Sequence, residues 1–259
     1  EMLAAFGRAI ESLGGRYVTA EDVGMSEPDM VAISRETQHV CGLPAAAGDA
    51  GGDPGPFTAL GIYLGIKAAV AHKLGADSLK DVRVAVQGCG SVGGGVARLL
   101  AKDGARLVLA DIDEARAETL ARELGAEHAA SDSVMSTACD VFSPNALGAI
   151  LDEAGVARLD CAIVAGGANN QLKSPEHGAM LAQRDILYAP DYVINAGGII
   201  NVSLEYLASR KGAPCEIDEV RARITQIPER LEAIWRESDA SGRSADVVAD
   251  AMAGRLIGR

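Results

Sequence analysis

The chain has 259 residues, 48% of them apolar, with 36 acidic against 24 basic side chains and a formal charge of −12. That size fits one large or two ordinary globular domains, and the acidic balance argues against nucleic acid or an anionic membrane as the main partner. With only 3% aromatic residues a base-stacking platform is not expected, and the most apolar stretch, 61–71, is interrupted by Lys67, so no bilayer-spanning helix is expected.

In chain order, Leu3, Phe6, Ile10 and Leu13 fall on one face of an N-terminal helix. A chain that starts with Glu1 inside a helix is expected to lack an upstream part. A short strand over Arg16–Thr19 follows, then a Gly/Pro/Ala-rich stretch from Gly42 to Pro56 that reads as a hinge or linker. A long helix is predicted over 57–74, with Lys67 and Lys73 on its polar face. Strands are then predicted at 82–86, 107–110, 139–142, 161–165 and 186–188, alternating with helices at 96–100, 114–124, 147–154 and 176–182. Such alternation indicates an α/β fold with a Rossmann-type, doubly wound parallel sheet. The remainder reads as helical: 199–208, 217–238 and 244–256. Ile224, Ile227, Leu231, Ile234 and Trp235 are expected in the core. The five cysteines show no metal or redox spacing and read as small buried apolar residues of a reducing cytoplasm; no metal is expected. His128 and His177 read as surface residues.

Gly88-Cys89-Gly90-Ser91-Val92-Gly93 lies between the first of those strands and a helix. Gly88 suits the tight turn, Gly90 lets the backbone approach phosphates, and Gly93 lets the helix pack closely on the strand. The unpaired N–H groups at the helix start then face a pyrophosphate. Asp111 ends the next strand, 23 positions after Gly88, where an acidic residue would bind the adenine ribose hydroxyls. A 2′-phosphate about 4 Å from that carboxylate would cost roughly 1 kcal/mol in water and about 4 at an effective dielectric of 20. Ile112, Asp113 and Glu114 follow with no immediate Arg, so NAD is expected rather than NADP.

Thr19-Ala20-Glu21-Asp22-Val23-Gly24, Gly52-Asp53-Pro54-Gly55-Pro56-Phe57-Thr58-Ala59, Gly167-Ala168-Asn169-Asn170-Gln171-Leu172 and Tyr188-Ala189-Pro190-Asp191-Tyr192-Val193-Ile194-Asn195-Ala196-Gly197-Gly198 complete the pattern. With the glycine turn they resemble the leucine/phenylalanine/valine branch of the amino acid dehydrogenases, relatives of glutamate dehydrogenase, nearest to leucine dehydrogenase. The resemblance implies NAD-dependent, reversible oxidative deamination of a branched-chain or other apolar L-amino acid to its 2-oxo acid and ammonia. It also implies a cytoplasmic homo-oligomer with two domains around a cleft. Residues 1–50 then correspond to a remnant of the substrate domain, 51–198 to the NAD-binding domain, and 199–259 to C-terminal helices that return to the first domain.

Carried over by position, the resemblance makes Asp22 the catalytic carboxylate, a role that needs its pKa tuned by surroundings. It places Thr58 at the nicotinamide carboxamide and Asn170 and Asn195 at the nicotinamide and amino-group end. Ser91, Val92, Ile112, Asn145 and Ala146 join Gly88, Gly90, Gly93 and Asp111 in the cofactor set. Ala20, Ile199 and Val202, with Asn170, shape the substrate site. One departure is expected to matter. The lysines of the family site have no counterpart among Lys67, Lys73, Lys80, Lys102, Lys173 or Lys211, and losing one such group typically costs about 10²–10³ in rate. This stretch alone is therefore expected to be inactive or nearly so. The alternatives are a non-catalytic NAD-binding module, and a 2-hydroxy acid dehydrogenase, which would require a paired histidine.

Overall fold

The computed structural model describes residues 1–22, 24–45 and 49–258, so part of the expected 42–56 linker and Val23 lie outside the described residues. In chain order the elements are α1 (Met2–Ser12), α2 (Glu27–Ser34), α3 (Gly55–Leu74), β1 (Arg83–Gln87), α4 (Ser91–Lys102), β2 (Arg106–Ala110) and α5 (Glu114–Leu124). Then come β3 (Glu127–His128), β4 (Val141–Pro144), α6 (Glu153–Arg158), β5 (Ile163–Val164), α7 (Glu176–Gln183), β6 (Leu187–Tyr188) and α8 (Asp191–Ile194). The last four helices are α9 (Gly197–Arg210), α10 (Ile217–Ile224), α11 (Ile227–Ser241) and α12 (Ala245–Leu256).

The chain divides into two compact units: 1–57 with 197–224, and 58–196 with 225–259. Of the helices after residue 196, α9 and α10 therefore belong with the N-terminal residues, α11 and α12 with the sheet.

The first unit is built on a small core of Ile10 from α1, Met30 and Ile33 from α2, and Val40. A Cβ on Gly7 would stand 2.8 Å from Glu36 Cβ and 3.0 Å from the Ile33 carbonyl, so a glycine lets α1 approach α2 closely. Ser26 and Asp29 form a capping box that starts α2, fixing the first turn with two otherwise orphaned donors. The expected strand 16–19 is reduced to one parallel bridge, Thr19 to Val40, with Cys41 N donating to the Thr19 carbonyl at 2.8 Å. Of the predicted face of α1, Ile10 is buried but Phe6 and Leu13 are exposed. From α9, the Glu205 carboxylate accepts the N–H of Gly42 at 2.9 Å and of Leu43 at 3.1 Å. Burial nevertheless holds its carboxyl above the usual carboxylate range.

The second unit is a six-stranded parallel sheet in the order β3-β2-β1-β4-β5-β6. The order reverses between β1 and β4, and ligands of such sheets bind outside the strand carboxyl ends at that reversal. Val84, Ala85 and Val86 of β1 are fully buried, as expected of a strand covered on both faces. A core of Ala85, Val108, Phe142, Leu151, Val156, Val164 and Leu181 lies on one side. Trp235 of α11 is fully buried and its indole N–H donates to the Tyr188 carbonyl at 2.9 Å.

Four further expectations are corrected. The helix expected over 147–154 is a loop: Ala149 adopts φ 57°, which ends any right-handed turn. A helix forms only at Glu153–Arg158, capped by Asp152 accepting from Gly155 N at 2.9 Å. His177 is buried, its Nδ1 2.8 Å from Ser174 Oγ. The segment 217–238 is two helices, α10 and α11, parted at Thr225–Gln226; Pro228 in the first turn of α11 has no N–H to carry a continuous ladder. Of the cysteines, Cys139 and Cys161 are partly rather than fully buried.

Candidate functional site

The glycine turn has the geometry its spacing predicts. Gly88 sits at φ 90°, a conformation that side chains disfavour. A Cβ on it would also lie 2.8 Å from the Asn145 carbonyl. A Cβ on Gly93 would stand 1.9 Å from the Gly88 carbonyl; only a bare Cα allows α4 to begin this close to β1. Gly90 is the N-cap of α4, and a Cβ there would meet nothing within 4 Å. The N-cap of α4 therefore faces open space at the carboxyl edge of β1, followed by an exposed Ser91, a half-buried Val92 and a buried Gly93. These features fit a dinucleotide pyrophosphate: helix N–H donors, a bare approach and no acidic group in the turn.

Asp111 follows β2 on the same edge, its side chain only 7% exposed. One oxygen accepts the Cys89 N–H at 2.7 Å and the other the Asp113 N–H at 2.9 Å. Burial raises its carboxyl, but those two N–H donors and the Arg116 guanidinium outweigh it, and the net shift is downward. Ile112, 91% exposed, is an apolar side chain held at the rim. Arg116, which sequence adjacency missed, reaches back from α5 to within 3.4 Å of Asp111.

Along the edge of β4 and β5 the expected amides meet on one residue not singled out in the sequence, Gly167. Its N–H donates to Asn145 Oδ1 at 2.9 Å, and its carbonyl accepts from Asn195 Nδ2 at 3.2 Å. Asn195 Nδ2 also donates to Asn169 Oδ1 at 2.7 Å, and Asn145 Nδ2 to the Ser143 carbonyl at 2.9 Å. Ala146 next to it is exposed. Asn170 stands at φ 53°, its N–H donated to the Asp191 carboxylate, whose other oxygen accepts from Tyr188 Oη at 3.2 Å. Thr58, at the start of this unit, is half-buried.

The other predicted residues belong to the first unit. Asp22 is exposed, and its carbonyl accepts from Met25 N at 2.9 Å. Beside it, Glu21 has its carboxyl raised by burial and by the charges of Asp53, Glu27 and Asp29. Ala20 is half-buried, Val202 is buried, and Ile199 is 63% exposed. Lys67 pairs with Asp103 at 2.8 Å and Lys73 with Asp185 at 2.6 Å, both ordinary ion pairs on the flank of α3. Among the described residues no three His, Cys, Asp or Glu side chains are grouped to hold a metal ion, and no helix is long and apolar enough to cross a membrane.

Residues 109–255 match the family model described as glutamate/leucine/phenylalanine/valine dehydrogenase. The chain is 44% identical over 250 residues to leucine dehydrogenase of Thermoactinomyces intermedius, covering 96% of this chain and 67% of that protein. Its fold is similar to the crystal structure of L-tryptophan dehydrogenase from Nostoc punctiforme, with TM-score 0.83 at 36% identity, covering 99% of this chain and 71% of that one. The hetero-hexameric glutamate dehydrogenase of Thermus thermophilus shares the fold at TM-score 0.75 and 24% identity, over 95% of this chain and 65% of that one.

Proposed function

The chain belongs to the glutamate/leucine/phenylalanine/valine dehydrogenase family, and from that premise we infer that this enzyme carries out the NAD-dependent, reversible oxidative deamination of an apolar L-amino acid. Bound NAD supplies the acceptor for the hydride leaving the substrate Cα. The observation that carries this reading is the buried Asp111 carboxylate beside the glycine turn: it presents acceptors for both ribose hydroxyls where the α4 N–H groups receive the pyrophosphate.

The remaining roles follow from the resemblance and the local geometry. Asp22 is the proton-transferring carboxylate, taking a proton as water adds to the imino acid and returning it as ammonia leaves. Asn170 and Asn195 line the amino-group and nicotinamide end. Gly167 holds Asn195 and Asn145 together, so the two amides are fixed before a ligand arrives. Thr58 meets the carboxamide. Ala20, Ile199 and Val202 shape a side-chain pocket of small and branched apolar groups, which suits leucine, isoleucine or valine. A methylene more or less changes binding by about 1–3 kcal/mol, a factor of roughly 10–200, and these three residue types do not rank the three substrates. The resemblance also implies a homo-oligomer, and differences of substrate among the named relatives fit a specificity set in this pocket. A cytoplasmic location fits the reduced cysteines.

The test compares kcat/KM for leucine, isoleucine, valine, phenylalanine and glutamate in a form extended upstream to supply the family's lysines and in its Asp22→Asn variant, with the 259-residue chain, expected to be inactive or nearly so, beside them. The expected result is a preference for the three aliphatic substrates and a loss of about 10²–10⁴ in kcat for the variant. Preference for glutamate, or an Asp22→Asn protein with unchanged kcat, overturns the assignment.

A further inference from the structure

Arg116 alters what the ribose end of this site can hold. Its guanidinium rises from the first turn of α5, with Nη1 3.4 Å from Asp111 and Nη2 3.1 Å from Asp113. The Arg116 side chain is 50% exposed whereas that of Asp111 is 7% exposed. Asp111 does not depend on the arginine, because the Cys89 and Asp113 N–H groups already give each of its oxygens one donor, while each oxygen keeps a further lone pair to accept with. The guanidinium can therefore leave the carboxylate without stranding a buried charge, and Asp111 itself, pinned by two backbone donors, cannot move away.

On the reading of 88–93 and Asp111 as a dinucleotide site, we propose that Arg116 is a selectivity-determining residue that receives the 2′-phosphate of a phosphorylated adenosine, so that discrimination against NADP is graded rather than absolute. A planar fork of donors matches phosphate oxygens two at a time. A lone carboxylate would repel that phosphate; a carboxylate with a mobile guanidinium over it repels it less. The sequence expectation rested on Ile112, Asp113 and Glu114 separating Asp111 from any Arg, but the first turn of α5 carries residue 116 back over residue 111.

Calorimetric titration of the 259-residue chain with three probes tests this: ADP, adenosine 2′,5′-bisphosphate and adenosine 3′,5′-bisphosphate. The last two carry the same charge at different positions. In the wild type, the 2′,5′ compound is expected to bind more tightly than the 3′,5′ compound. Arg116→Gln is expected to weaken the 2′,5′ compound about tenfold while changing ADP and the 3′,5′ compound less than about twofold, and Arg116→Lys to fall between, since it keeps charge without the fork. Equal loss of all three probes in Arg116→Gln, or none, overturns the proposal. A wild type that binds ADP but not the 2′,5′ compound overturns it too. A wild type that binds no probe overturns the nucleotide-site reading and this one with it.

Discussion

The Asp111 carboxylate accepts the backbone N–H of Cys89 at 2.7 Å, tying the end of β2 to the glycine turn after β1. The second oxygen takes the Asp113 N–H at 2.9 Å, so one side chain fixes both loops that a dinucleotide would touch. This arrangement makes the acid structural before any ligand binds.

A pH dependence follows from it. Burial pushes the Asp111 carboxyl up, but the Cys89 and Asp113 N–H groups and Arg116 bring it below its ordinary value. A carboxyl lower in the folded than in the unfolded chain stabilises above the unfolded value, near 3.9, and that gain is lost as pH falls through the folded one. Asp111→Asn is therefore expected to be less stable than the wild type by about 1–2 kcal/mol at neutral pH. The gap should narrow below about pH 4. Calorimetric melting across that range checks it; a gap that widens on acidification contradicts the sign.

Gly90 and Gly93 give opposite outcomes when replaced by alanine. At Gly93 the new methyl would press 1.9 Å from the Gly88 carbonyl, so Gly93→Ala is expected to lower the melting temperature and weaken NADH binding together. At Gly90 the methyl meets nothing within 4 Å and intrudes only on the pyrophosphate. Gly90→Ala should melt like the wild type and bind NADH at least about tenfold more weakly, because the close backbone approach is lost. NADH fluorescence with parallel melting curves separates the two.

Asn170 occupies a left-handed conformation at φ 53°, held by its N–H to Asp191. Glycine accepts that backbone freely. Asn170→Gly is thus expected to change stability by less than about 1 kcal/mol. In the upstream-extended form it should reduce kcat/KM for leucine by about 10², the typical cost of removing one preorganised donor. Steady-state kinetics with thermal melting checks the split; parallel losses would assign Asn170 to the fold alone.

The single tryptophan anchors the sheet. Trp235 is fully buried and its N–H caps the Tyr188 carbonyl at 2.9 Å, beside His72, whose ring centroid lies 5.2 Å away. Trp235→Phe keeps most of the packing but strands that carbonyl, a cost of about 1–3 kcal/mol. Urea unfolding of the variant measures it.

What was legible in the sequence follows from how local its cause is. The β1–turn–α4 unit was readable because Gly88 and Gly93 each have a steric reason at fixed offsets between a strand and a helix. Helix α5 matched end to end because Asp113 caps its start and Gly125, at φ 63°, its finish. Helix α2 was not anticipated, although Ser26, Pro28 and Asp29 carry the start signals of a helix. The loop 145–152 could not be read: Leu147, Ile150 and Leu151 imitate a helical stripe, while Gly148, whose Cβ would stand 2.1 Å from the Asn169 carbonyl, follows a neighbour distant in sequence. Arg116 was missed, and Gly167 and Asp191, though within the quoted motifs, were given no role, for the same reason. Each acts through a partner brought close by the fold rather than by spacing.

The most direct test of the central claim follows a labelled hydrogen. The upstream-extended form that supplies the family's lysines is mixed with NAD and L-leucine deuterated at Cα, and the cofactor is recovered and analysed by mass spectrometry. The account predicts one deuterium on the reduced nicotinamide, with 2-oxo acid and ammonia formed in equal amounts. Reduced cofactor without deuterium, or no transfer from leucine, isoleucine or valine alike, would contradict it.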